Sequence, residues 1–201
     1  MAFSRGIDGV FIGGCRLNEC SYTTQGNYHA LNMVFFLKKI LEHIGLDPER
    51  LRIAFMSSSE AHVFVENVND FVRKVRELGP LGKGEGVDVE KLKRKFTALK
   101  KLIPYIRLVI SERLRLRFGS VEEYRKFYSS EEFEGLFREL IADKLAVSEI
   151  VLLLRENSYS AGEIARILGL NPADVPGYLA SSAKQGLVSY DRGQWRYALS
   201  S

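Results

Sequence analysis

Two apolar runs, residues 8–14 (DGVFIGG) and 51–56 (LRIAFM), are each followed by a stretch with helical periodicity, and that alternation leaves few folds open to the amino-terminal part of the chain. Glycines close the first run, as where a buried parallel strand feeds a tight loop. Ala30, Val34, Leu37, Leu41 and Ile44 then recur at three and four residues, one face of a helix that Gly45 can end. Asp47, Pro48 and Glu49 make a turn into the second run. Ala61, Phe64, Val68, Phe71 and Val75 mark another amphipathic helix, closed by Gly79 and Pro80. Strand, helix, strand, helix is the repeat of a doubly wound sheet, whose functional groups gather beyond the carboxyl ends of the strands. Parallel strands need cover on both faces and further neighbours. Two of them therefore read as an α/β half-domain, flavodoxin-like and lacking its amino-terminal half.

Beyond it, residues 81–86 (LGKGEG) read as a glycine-rich linker. No strand leads into them and no Gly-Lys-Ser/Thr follows, so a phosphate loop is not expected. From Val87 a mostly helical region begins, with Leu92, Phe96, Leu99, Ile103, Ile106 and Ile110 at alternating spacing among ten Lys or Arg between Lys91 and Arg117. Pro104 is expected to split or kink it. Ser120 with Glu123, and Ser129 with Glu132, have the spacing of capping boxes for two more helices. Residues 146–201 follow a third pattern: a helix at 147–157, SAGEIARIL at 160–168, the turn GLNP, a helix at 173–185, and two short strands, LVSYD and QWRYAL. This resembles a winged helix-turn-helix domain, with Ala165 and Leu170 at the tight interhelical positions and Gly186 before the wing. The expected division is 1–80, 81–145 and 146–201.

Composition limits the chemistry. No stretch approaches the roughly 18–20 apolar residues that span a bilayer, and the first residues lack a secretion-signal layout, so a cytoplasmic protein is expected. A reducing compartment keeps the chain's two cysteines, Cys15 and Cys20, as thiols. Their spacing differs from that of a thioredoxin-type pair, which has two residues between the thiols. On a loop, two such thiolates can reach one iron or zinc, but most such sites take four ligands. His29, His43 and His62 sit on or beside helices without ligand-type spacing. The ligand set is therefore expected to be incomplete within one chain.

The stretch from Gly6 to Pro80, continuous through GIDGVFIGGCRLNECSYTTQGNYHALNMVFF, resembles the carboxyl-terminal part of the delta subunit of methyl-viologen-reducing hydrogenase, an iron-sulfur family. The family loop has the form Gly-Cys-His-Pro-Gly-Asp-Cys-His-Tyr, followed by Gly-Asn. Gly14, Cys15, Cys20, Tyr22, Gly26 and Asn27 match it. Arg16 and Ser21 replace the histidines and Leu17, Asn18 and Glu19 replace Pro-Gly-Asp, with Glu19 keeping the acidic character. The resemblance implies that Cys15 and Cys20 ligate a 2Fe-2S cluster, with Gly14, Glu19, Tyr22, Gly26 and Asn27 around it. It implies a non-catalytic electron-transfer subunit. The partners would be a heterodisulfide-reductase-like flavoprotein, a hydrogenase, formate dehydrogenase or other reductase, and a second copy of the chain as a further candidate. Further cysteines of the family lie upstream of the matched stretch, so a split or truncated reading frame is expected.

Two other readings compete. A serine hydrolase would need a nucleophile elbow that residues 57–62 (SSSEAH) do not form; the serines are expected to cap the next helix. A winged-helix DNA-binding regulator is favoured by a pI near 9.0 and the basic stretch. It is opposed by the expected recognition helix, whose face (Asp174, Tyr178, Ser181, Ser182) has few base-reading groups and whose basic residue is Lys184. A docking subunit without a cluster is the third alternative. Tyr190, Trp195 and Tyr197 are expected to pack the wing onto the helices.

Overall fold

The computed structural model describes residues 2–22 and 26–200. The chain is mostly helical, with two small sheets, and divides into two compact units, Met1–Leu92 with Arg107–Leu136, and Lys93–Ile106 with Phe137–Ser201.

In the first unit β1 (Val10–Gly14) pairs in parallel with β2 (Leu51–Phe55), Val10 opposite Leu51 and Gly14 opposite Phe55. Between them runs α1 (Asn27–His43), and α2 (Ala61–Leu78) follows. Alternation along the strands separates the faces. Phe11 meets Phe64 and Phe71 of α2, and the Arg52 guanidinium lies over the Phe71 ring. Gly9 is small for a reason: a Cβ there would run into Val75 and Phe71. The first apolar run predicts a buried strand and the second a further strand. Instead, Leu51 is the one buried residue of the ten, because a two-stranded sheet has no third strand to close over it.

α1 is buried on several sides, through Leu31, Val34, Phe36, Ile40 and Leu41, rather than along a single stripe. The reason is α4 (Val121–Tyr128), which packs on it. The Phe35 ring stacks with Tyr124 and Tyr128, centroids 6.1 and 5.7 Å away. Asn32, buried, donates to the Leu114 carbonyl at 2.6 Å and accepts from the Tyr128 hydroxyl at 2.8 Å. Burial raises the pKa of Tyr128, so this hydroxyl stays a donor.

Residues 81–86 are not a free linker. Glu85 receives the Nε and Nη2 of the fully buried Arg50 at 2.5 and 2.9 Å, and also the N–H groups of Asp47 and Gly82. The same guanidinium donates to the carbonyls of Asp8, Gly79 and Leu78. One side chain thus ties the approach to β1, the start of β2 and the end of α2 to this segment.

α3 (Val89–Glu112) runs unbroken through Pro104, which is exposed, so the carbonyl it leaves without a partner can face water. Ser120 caps α4 as expected, accepting from Glu123 N–H at 3.3 Å. The next cap is Ser130 rather than Ser129: its hydroxyl accepts from Phe133 N–H at the start of α5 (Glu131–Phe137).

The second unit holds α6 (Asp143–Leu154), α7 (Ala161–Leu168), α8 (Val175–Lys184) and the antiparallel strands β3 (Val188–Asp191) and β4 (Arg196–Leu199). Ser160 and Glu163 form a reciprocal capping box at α7, and Gly169 and Gly186 take the left-handed conformation that ends α7 and leads from α8 into β3. The core joins Ile150, Leu153, Ile164, Leu168, Leu179 and Val188, with Tyr197 against it. Trp195 departs from the expectation: it sits in the turn before β4 with φ 55°, outside the strand alternation, and is 75% exposed.

Candidate functional site

The site lies where β1 ends. Cys15 follows Gly14 and is exposed, while Cys20 is half-buried four residues of loop later. Arg16 O accepts from Glu19 N–H at 3.0 Å, which closes a four-residue turn, and Asn18, its third residue, has φ 72°. That conformation favours Gly and next Asn. It explains how Leu17-Asn18 can stand where the family loop has Pro-Gly without losing the turn.

Asn27, the first residue of α1, holds the loop from below. Its buried amide donates to Cys15 O at 3.1 Å and Arg16 O at 2.6 Å, and its Oδ1 accepts from Tyr28 N–H. The Tyr28 hydroxyl donates to Asn18 Oδ1 at 2.7 Å, and the Arg117 guanidinium lies 4.8 Å from the centroid of the Tyr28 ring. From the β2 side, Glu60 forms a two-pronged ion pair with Arg16 and accepts from Ser57 N–H at 2.7 Å. The Ser57 N–H, with Arg16 beside it, holds the Glu60 carboxyl below the usual carboxylate range. The serines do not cap α2 as expected; Glu60 occupies the cap position and turns its carboxylate back onto Ser57.

The two thiols differ. Backbone N–H groups of Asn27 and Tyr22 point at the Cys20 sulfur and lower its pKa, and the Cys15 thiol adds a further hydrogen bond to it. Cys15, which donates that bond, is raised. Glu19, whose charge also disfavours a second thiolate, adds to this. The thiolate form is thus favoured at Cys20, near the amino end of α1, and disfavoured at Cys15. Gly26 lets the chain pass: a Cβ there would collide with the Cys20 sulfur and the Tyr22 carbonyl.

Of the expected surroundings, Gly26 lies against the Cys20 sulfur, Asn27 holds the Cys15 carbonyl and Gly14 directly precedes Cys15, while Glu19 and Tyr22 are exposed. Among the described residues, no three His, Cys, Asp or Glu side chains gather where they could hold a metal ion. His43 and His62 are exposed and His29 half-buried. Sequence reasoning missed the Arg16–Glu60 clasp and the carbonyl-bridging role of Asn27. Only the opposite charges of Arg16 and Glu60 could have signalled the first.

In the second unit, two residues expected on the reading face of α8 are turned inward. The Tyr178 hydroxyl donates to Asp143 Oδ1 at 2.9 Å, and the buried Ser182 donates to Tyr178 O. Pro176, Gly177, Ala180, Ser181 and Lys184 are outward.

Residues 1–79 match the family model described as "Methyl-viologen-reducing hydrogenase, delta subunit", and residues 146–190 that described as "Bacterial regulatory protein, arsR family". Both resemblances read from the sequence hold over these stretches. A ferredoxin:CoB-CoM heterodisulfide reductase subunit of Methanosarcina mazei is 40% identical over 97 residues, 48% of this chain and 11% of that protein. An F420-non-reducing hydrogenase iron-sulfur subunit of Archaeoglobus profundus is 43% identical over 79 residues, 39% of this chain and 57% of that one. The F420-non-reducing hydrogenase vhu iron-sulfur subunit of Methanopyrus kandleri is 44% identical over 80 residues, 40% of this chain and 60% of that one. The chain thus spans a little over half of these hydrogenase proteins and a tenth of the reductase protein. Among the described residues, no helix is long and apolar enough to cross a membrane.

Proposed function

We propose that the chain is a non-catalytic electron-transfer subunit of a cytoplasmic oxidoreductase complex, and that Cys15 and Cys20 supply two ligands of an iron-sulfur cluster, of the 2Fe-2S type. The observation that carries this reading is the Cys20 sulfur facing the Asn27 and Tyr22 N–H groups with the Cys15 thiol against it, inside a stretch similar to proteins named as iron-sulfur subunits. Two thiols, one of them beside the N–H groups of Asn27 and Tyr22, fit half of a four-ligand set. The other half would come from a partner protein or a second copy.

When bound, the cluster would carry single electrons. The chain's own residues orient the two sulfurs through Asn27, keep the loop closed through Arg16 and Glu60, and leave Cys15 at the surface, where a partner's ligands can reach. In this reading β1, α1, β2 and α2 are half of a flavodoxin-like domain. The similarity to the heterodisulfide reductase and hydrogenase subunits favours a heterodisulfide-reductase-like flavoprotein and a hydrogenase as partners; formate dehydrogenase or another reductase are further donors to test. Protein reconstituted with iron and sulfide under anaerobic conditions should show 2Fe-2S absorption and, once reduced, a paramagnetic signal, both lost in Cys15→Ser and Cys20→Ser. Spectra unchanged by both substitutions would refute it.

A second reading, DNA binding through residues 146–201, is favoured by the match to the arsR-type regulators. The outward face of α8, with Lys184 as its one base, suits a winged helix that docks onto protein better. Salt-dependent retention of duplex DNA that is weakened by Lys184→Glu would favour the regulator. A cluster-less docking subunit remains the expectation if neither assay responds.

A further inference from the structure

The function proposed above leaves residues 113–118 (RLRLRF) without a role, and they lie outside the stretches 1–79 and 146–190 that match family models. They belong to the first unit and join α3 to α4. Leu114 is buried, Leu116 and Phe118 are half-buried, and Arg113, Arg115 and Arg117 between them are exposed. The backbone is fixed from inside. Leu114 O accepts from the buried Asn32 amide at 2.6 Å and from Leu116 N–H at 2.8 Å, which closes a three-residue turn with Arg115 at its apex. Leu116 O accepts from the Tyr124 hydroxyl at 3.2 Å, and the Phe118 ring meets Tyr124 edge-on with centroids 5.0 Å apart. The arginines therefore stand on a braced segment.

Charge pairing sets this row apart. Arg16, Lys38, Lys39, Arg50 and Arg125 of the same unit each have a carboxylate partner. Among the described residues, Arg113 and Arg115 have none. Arg117 lies over the Tyr28 ring, 4.8 Å from its centroid, and the Tyr28 hydroxyl donates to Asn18, in the turn between Cys15 and Cys20. The row thus ends beside the loop that carries the two thiols.

An arginine fork takes planar oxyanions, carboxylate or phosphate, through two parallel hydrogen bonds. The flanks choose between them. Glu112 at one end of the row, and Glu122 and Glu123 at the other, are exposed carboxylates. A nucleic-acid strand continues past three arginines in both directions and would meet that negative charge, whereas a short cluster of carboxylates ends where the arginines end. We infer that Arg113, Arg115 and Arg117 dock an acidic segment of a partner protein and hold that partner alongside the cysteine loop. Opposed charges of this kind steer and orient an encounter. The docking does not depend on the thiols binding a cluster, and its test reads no iron.

The test uses the full chain and, as probe, a short synthetic peptide in which glutamate alternates with threonine, labelled for fluorescence anisotropy. At low ionic strength it should bind saturably and be released as salt is raised. The same peptide with glutamine in place of glutamate should not bind. Arg113→Gln/Arg115→Gln, at two exposed positions, should keep the circular dichroism of the parent and weaken binding about tenfold, the worth of two exposed ion pairs. Arg166→Gln/Arg192→Gln removes the same charge from the second unit and should leave binding unchanged. Absence of saturable binding, binding that Arg113→Gln/Arg115→Gln leaves intact, or an equal loss in the two double variants, the mark of attraction to net charge alone, would overturn the inference. Tighter binding of single-stranded or duplex DNA that Arg113→Gln/Arg115→Gln abolishes would give the row to nucleic acid and overturn it too.

Discussion

Replacing Arg50 by Met removes the one group that holds four separate stretches of the first unit. The guanidinium is fully buried and donates to both carboxylate oxygens of Glu85 and to the carbonyls of Asp8, Leu78 and Gly79. Met fills much of the space and donates nothing, so those carbonyls lose their partner and the Glu85 charge loses its counterion. Breaking a buried pair from one side costs about 3–5 kcal/mol. Glu85 keeps the N–H groups of Asp47 and Gly82, which puts the expectation near the lower end, about 3 kcal/mol. In a chain of this length that is a fall of roughly 6–12 °C in the unfolding midpoint. Far-ultraviolet circular dichroism on heating measures it, and hydrogen exchange should place the loss in residues 8–14, 50–55 and 78–86. The sign with pH follows from Glu85. Although burial pushes its pKa up, the Arg50 hydrogen bonds outweigh that and leave the folded-state pKa lowered. Its contribution is therefore present above the unfolded value of about 4.3 and lost as pH falls through the folded one. Glu85→Gln should flatten that acid dependence. A change below about 0.5 kcal/mol in Arg50→Met, the size of an ordinary surface substitution, would refute the reasoning.

Three more outcomes follow from the site and the second unit. Alkylation followed by peptide mass mapping across pH should modify Cys20 at lower pH than Cys15, because backbone N–H groups stabilise the Cys20 thiolate while the bond to Cys20 keeps Cys15 protonated; the reverse order would contradict the geometry. Gly26→Ala should shift the onset of Cys20 alkylation to higher pH and abolish iron retention with the helical signal intact, since its Cβ occupies the place of the sulfur. Ser160→Ala should destabilise the second unit by about 1 kcal/mol in urea unfolding, the usual worth of an N-cap.

Local chemistry made the elements legible. A glycine-bounded apolar run marked β1, an apolar run after the Asp47-Pro48-Glu49 turn marked β2, and the reciprocal Ser160–Glu163 box marked the start of α7, because each signal sits within a few residues. What stayed hidden depends on partners far along the chain. Glycines at 81–86 read as a linker because nothing nearby tells that Glu85 meets Arg50, 35 residues earlier. The face of α8 is misread from sequence because Tyr178 and Ser182 look polar, and only Asp143 and the helix backbone explain why they point inward. At the site, the family pattern located the two thiols and Asn27. It could not locate the Arg16–Glu60 pair, since this loop has Arg where the pattern has His.

The most direct test of the cluster reading is the iron and acid-labile sulfide content of the anaerobically purified full chain, measured alone and as a complex with whatever protein completes the ligand set. The account predicts two irons and two sulfides per completed site, the composition of a 2Fe-2S cluster, retained in the parent and lost when Cys15 or Cys20 is replaced by Ala. Iron-free protein under both conditions after reconstitution, or iron that survives both substitutions, would contradict it.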